Sequence, residues 1–215
     1  MTWFLKKVNK MSDIYPEGSA VDTLEKFAKE TGRSFYGKEV PFDHAPLHPV
    51  TYHIRNVCIP YDDKRELFFI SYGNSRDYGR YANFSGVFFS IELPDTTVIK
   101  IRNRDILDKI NPFLKDSDFK SDNDDFNSKV VIEENDIFST KSLLNKEKLQ
   151  EIIPEVFKSN QALNVGINDV RIDFVEEING KSHFGIYVLD NWIVNPEEIE
   201  FLFEKVRQIK TAIIF

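Results

Sequence analysis

Asp169-Val-Arg-Ile-Asp-Phe-Val-Glu-Glu177, Asn179-Gly180 and His183-Phe-Gly-Ile-Tyr-Val-Leu-Asp190 are the runs on which the reading of this chain turns. Apolar residues alternate with polar ones as Val170, Ile172, Phe174 and again as Phe184, Ile186, Val188, the period of a strand with one buried face. Asn-Gly tolerates the positive φ angles of a type I′ turn, so the spacing predicts a hairpin turning at residues 179 and 180. Upstream, Lys129-Val-Val-Ile132 reads as a strand and Ser139–Ser142 as the connection to an amphipathic segment, Asn145–Ser159. Leu149, Ile152, Ile153, Val156 and Phe157 share the apolar face of that helix, and Pro154 predicts a kink late in it. Strand, helix and hairpin together make Phe126–Asp190 the architectural centre of the chain.

The flanks supply further elements. Val21, Leu24, Phe27 and Ala28 have helical spacing over Ala20–Thr31, with Gly32 as the stop. Prolines at 41, 46, 49 and 60 exclude a long helix from residues 33–60 and leave an extended segment, with a strand confined to an edge or to Thr51–Cys58. Arg65–Tyr72 and Phe84–Leu93 carry the β-branched and aromatic residues of strands, and Thr97–Arg102 is a third. A short helix is expected at Arg104–Ile110. Asn195-Pro-Glu-Glu opens the last helix, with Asn195 as its cap and Ile199, Leu202, Phe203, Val206 and Ile209 as its buried face. The whole reads as α+β, a mainly antiparallel sheet with helices packed on it. We expect one unit over 1–215, with two lobes, 12–115 and 126–215 joined by the acidic link 116–125, as the alternative.

Composition limits the function classes. At 215 residues, 41% of them apolar and 29% charged, the chain can bury a large core without disulfides or a structural metal, and nineteen phenylalanines make that core aromatic. A formal charge of −7 argues against a general phosphate-binding surface. The lone Cys58 suits a reducing compartment. The opening Met1-Thr-Trp-Phe-Leu-Lys-Lys-Val8 reverses the order of a signal peptide, and no apolar run approaches the ~18 residues of a membrane span. A cytoplasmic protein is expected, with residues 1–11 as either a weak membrane-touching helix or a packed or frayed terminus.

Gly86-Val-Phe-Phe-Ser-Ile-Glu-Leu-Pro94, Asp125-Phe-Asn-Ser-Lys-Val-Val131, Phe138-Ser-Thr-Lys-Ser-Leu-Leu144 and the hairpin ending Phe184-Gly-Ile-Tyr-Val188 resemble, in that order, a family of bacterial proteins of unknown function. The resemblance covers roughly Phe84–Asp190. Many relatives in that family carry membrane-spanning segments upstream that are not found in this sequence. The family has no established catalytic residues, so the resemblance implies none here.

Candidate chemistry is sparse. His44, His48 and His53 lie within ten residues, but their spacing places no two imidazoles on one helical face, and loop or strand histidines are the simpler reading. Asp116, Asp118, Asp122, Asp124 and Asp125 lack the glycine and closing glutamate of a calcium loop and read as a solvated link. Cys58, between Val57 and Ile59, reads as an inert buried thiol. Glu133-Glu134 and Glu176-Glu177 read as solvent charges. Neither metal nor cofactor is expected, since the sequence has no serine elbow, phosphate loop or dinucleotide fingerprint. The loop after Tyr72 interleaves Tyr72, Tyr78 and Tyr81 with Arg76 and Arg80, residue types that concentrate binding energy at interfaces. The leading expectation is therefore a non-catalytic, adaptor or immunity-like protein that binds another protein, with the Tyr72–Tyr81 loop and the acidic surface as candidate contacts and a homo-oligomer left open. The alternative is an enzyme whose site is assembled from dispersed His and Asp or Glu residues.

Overall fold

The computed structural model describes residues 17–41, 53–74, 82–105, 108 and 119–214. Eight strands lie among them: β1 (Tyr36–Pro41), β2 (His53–Pro60), β3 (Phe68–Asn74), β4 (Asn83–Ser90), β5 (Ile99–Asn103), β6 (Val130–Glu134), β7 (Asn164–Ile167) and β8 (His183–Leu189). They form one sheet in the order β1-β2-β3-β4-β8-β7-β5-β6, and each neighbouring pair is antiparallel. The described helices are α1 (Glu17–Glu30), α2 (Asp124–Lys129), α3 (Ile137–Leu144), α4 (Glu147–Ser159) and α5 (Pro196–Ile214). The α+β architecture expected from the sequence is the one observed.

Strand alternation gives the sheet two unlike faces. Val57, Ile59, Phe69, Val87, Phe89, Ile99, Ile101, Val165, Ile167, Phe184, Ile186 and Val188 point to the first, where the buried residues of all five helices meet them. α5 is fixed there as its sequence requires. The Asn195 Oδ1 accepts from the amides of Glu197 and Glu198 at 2.8 and 3.3 Å, and the five apolar residues of its inner face are fully buried. α4 buries Leu149, Ile152, Ile153, Val156 and Phe157 beside it, and Pro154 is accommodated inside the helix.

Among the described residues, no helix packs on the second face. Phe68, Ile70, Phe84, Phe88 and Tyr187 are covered there by Val170, Ile172, Val175 and Ile178. This corrects the hairpin expected over Asp169–Glu177. β8 does pair antiparallel with the preceding strand, but that strand is Asn164–Ile167, and residues 168–182 form an extended strap laid back across the sheet. The alternating residues are buried as expected, yet against a sheet face rather than as part of the sheet. Gly180 has φ +72, whereas Asn179 keeps a negative φ, so the turn closed by the Lys181 amide on the Ile178 carbonyl is not type I′.

Two other expectations change. Ser139–Ser142 lies inside a helix, α3, because the Asp136 carboxylate accepts from the amides of Phe138 and Ser139 and caps it. Within the acidic segment, Phe119 and Ser121 are buried and Asn123 caps α2, so residues 119–125 are built into the fold. Residues 116–118, the helix expected at Arg104–Ile110 except positions 104, 105 and 108, and residues 1–11 lie outside the described residues.

Candidate functional site

The polar centre of the molecule is written in the sheet register. One row across the second face runs Phe88, Gly185, Gly166, Lys100, Glu133, with each residue opposite the next. The two glycines leave a trough, and aromatic rings occupy it. A Cβ on Gly185 would strike the Phe88 ring, and one on Gly166 would come within 2.9 Å of the Tyr187 hydroxyl oxygen. Phe88 and Tyr187 stack with ring centroids 5.7 Å apart. Tyr187 thereby delivers its hydroxyl to Asp169, at the start of the strap, and donates a hydrogen bond to Oδ2. The Lys100 ammonium lies 3.9 Å from the same oxygen. Lys100 is 2% exposed, and a buried charge of this kind requires a counter-charge, which Asp169 provides.

Neighbouring charges are also matched. Arg102, two residues along β5, donates to both oxygens of Asp108 at 2.6 and 2.8 Å, and this guanidinium holds the Asp108 carboxyl down at about 2. At the far side of the strap the Arg65 guanidinium pairs with Glu177 and holds its carboxyl below the usual range. Glu177 is thus a structural anion rather than the solvent charge expected, and its backbone carbonyl accepts from the Ser90 hydroxyl at 2.7 Å. Cys58 is buried, and that burial pushes its thiol up to about 12, so it is not a nucleophile near neutral pH.

A cleft of about 430 Å³ opens between the two limbs of the strap, lined by Asp95, Asn168 to Asp173, Asn179 to Lys181 and His183. Asn168, at φ +51, fastens its inner end. The Asn168 Nδ2 donates to the Thr97 carbonyl at 2.8 Å and to Ser182 Oγ at 3.0 Å, while its Oδ1 accepts from the His183 amide at 2.9 Å. His183 is buried on the cleft floor.

On the other side of the turn that carries Asp95, an apolar corner faces outward. Phe138 is 83% exposed, with Ile137 and Val98 exposed beside it. The corner is rigid, since Val98 and Asn135 are joined by two hydrogen bonds and Asp136 accepts from Thr97 Oγ1 as well as from Ser139 Oγ.

Of the residues picked out from the sequence, Tyr72 is half-buried against Phe84 and Phe174, and its carbonyl accepts from Trp192 Nε1 at 3.0 Å. Arg76, Tyr78, Arg80 and Tyr81 lie outside the described residues, as do His44, His48 and the side chain of His53. Sequence reasoning missed Lys100, Asp169, Tyr187, His183 and Phe138. Nothing in an Ile-Lys-Ile run marks the lysine as buried, and only the strand order reveals it. Among the described residues no group of three or more His, Cys, Asp or Glu is placed to hold a metal ion, and no helix is long and apolar enough to cross a membrane. Compared with protein-family models, with curated proteins and with solved structures, the chain finds no match in any of the three.

Proposed function

We propose that this chain is a non-catalytic, cytoplasmic bacterial protein that binds another protein, in an adaptor or immunity-like role, through a surface centred on Val98, Ile137 and Phe138. The observation that carries the reading is Phe138, an almost fully exposed aromatic side chain on a helix whose N-terminus is tightly capped. Covering such a side chain is worth about 1.5–3 kcal/mol, and a rigid aromatic loses little entropy on contact, which is the profile of an interface anchor. The described acids and bases near the sheet centre support binding over catalysis, because Lys100, Asp169, Tyr187, Arg102 and Asp108 are engaged with one another.

The test is a photo-crosslinking amino acid placed at position 138 in living cells, with position 151 on the exposed side of α4 as the control. A discrete adduct at 138 alone is expected, and the purified partner should bind Phe138→Ser about tenfold or more weakly than the native chain. Equal labelling at both positions, or none, refutes the reading. Recovery of the chain in the membrane fraction would refute the cytoplasmic part alone.

A further inference from the structure

His183 presents a hydrogen-bonding conflict that no group of the described residues resolves. Its Nε2 lies 2.8 Å from the Val170 carbonyl oxygen, and a carbonyl can only accept, so Nε2 carries a proton. In the neutral ring Nδ1 is then a bare lone pair. It faces the Lys181 carbonyl oxygen at 3.4 Å, acceptor against acceptor. The two acceptors are reconciled either by a proton taken up from solution to make an imidazolium or by a donor in the adjoining cleft, water or a ligand, that bridges them. With the residue 7% exposed, burial holds His183 below its ordinary range and disfavours the imidazolium.

The charges lining the cleft decide what kind of donor fits. Asp169 is matched by Lys100, and Asp173 by Arg171 at 3.2 Å. Lys181, which also lines the cleft, donates its ammonium to the Glu177 carbonyl at 3.0 Å. Asp95, exposed on the turn opposite, is the lining carboxylate that no cation of the described residues pairs with. The Phe88 ring packs edge-on against the His183 ring and adds no donor to it.

We propose that the cleft between the limbs of the strap binds a small ligand carrying a primary ammonium group, which donates to His183 Nδ1 and the Lys181 carbonyl with Asp95 as its counter-charge. An ammonium brings three donors and a positive charge, whereas an alcohol brings one donor and no charge. The volume of about 430 Å³ leaves room for a ligand of several heavy atoms beyond that group.

The inference is tested on the full chain by nuclear magnetic resonance of the His183 ring and of the Asn179, Gly180 and Lys181 amides. The probes are ethylammonium chloride, 1-propanol and sodium acetate at matched ionic strength. At neutral to mildly alkaline pH the free protein should show the neutral tautomer with the proton on Nε2. Ethylammonium alone should shift these signals saturably, with a dissociation constant on the order of millimolar, as suits so small a ligand. It should also move the His183 titration to lower pH, because the two positive charges exclude each other. Asp95→Asn, on an exposed turn, should keep the amide spectrum and weaken ethylammonium about tenfold. The proposal is overturned by an imidazolium at neutral pH, by a proton on Nδ1, by equal shifts from 1-propanol, or by shifts that never saturate. None of these readouts involves Phe138, so the protein-binding proposal stands or falls separately.

Discussion

Gly86 lies opposite Tyr187 in the β4–β8 ladder, and a Cβ there would run into the Ile186 carbonyl oxygen and the Tyr187 Cα. Both atoms belong to the β8 backbone, so no flexible side-chain end is there to yield. Gly86→Ala should therefore cost about 3 kcal/mol or more, read as a fall in the urea midpoint, whereas an unchanged midpoint would mean the two central strands can separate locally. His183 gives a second expectation at this scale. Burial lowers its folded pKa from the ordinary 6.5, so the native state favours the neutral ring. Its contribution to stability is present above 6.5 and is lost as pH falls from there through the folded pKa, because the unfolded chain binds a proton that the folded one resists. Urea midpoints across mildly acidic pH should fall more steeply for the native chain than for His183→Gln; parallel curves would show that the ring is not buried neutral. Legibility at this scale was uneven. Asn195 was readable because a cap acts on residues two and three positions away. The meeting of Lys100, Asp169 and Tyr187 was not, since it depends on strands being neighbours in the sheet while distant in sequence.

At the scale of elements, the strap shows why an alternating pattern is ambiguous. Val170 and Ile172 have the period of a half-buried strand, and any extended segment lying on an apolar face has the same period whether or not it joins a ladder. Asn179-Gly180 was a sound turn signal attached to the wrong kind of turn. α3 was missed for a different reason: Ile137 and Phe138 point outward while Leu143 and Leu144 are buried, so its apolar residues fall on more than one side and the cap at Asp136 is the clearer signal. Without ladder partners along most of its length, the strap is held by the four apolar side chains beneath it and by polar fastenings at Asn168, Asp169, Glu177 and His183. Such a segment should open separately from the sheet. Glu177→Gln weakens the Arg65 fastening by about 1 kcal/mol, given its partial exposure. Hydrogen exchange at the Ile178, Asn179 and Lys181 amides should quicken by roughly fivefold while β4 and β8 are unchanged. A uniform acceleration across the sheet would show that strap and sheet are one cooperative unit.

For the molecule as a whole, the class of fold was readable because it follows from counting elements and their periods, whereas the strand order was not. That order places β8 between β4 and β7, so the two sides of the sheet are joined by a strand that the chain reaches only at residue 183. β1 to β4 form a meander of consecutive neighbours, and β5 pairs with both β6 and β7. Each side can assemble from its own stretch of chain, but until residues 183–189 are available β4 and β7 each present an unpaired edge of buried-type residues. During synthesis on the ribosome, β4 at residues 83–90 is made long before its partner β8 at residues 183–189, so its edge should wait unpaired through much of translation, whereas β7 at residues 164–167 waits only briefly. Translation pauses or chaperone shortage in that interval would set the yield of folded protein more than the stability of the finished fold does.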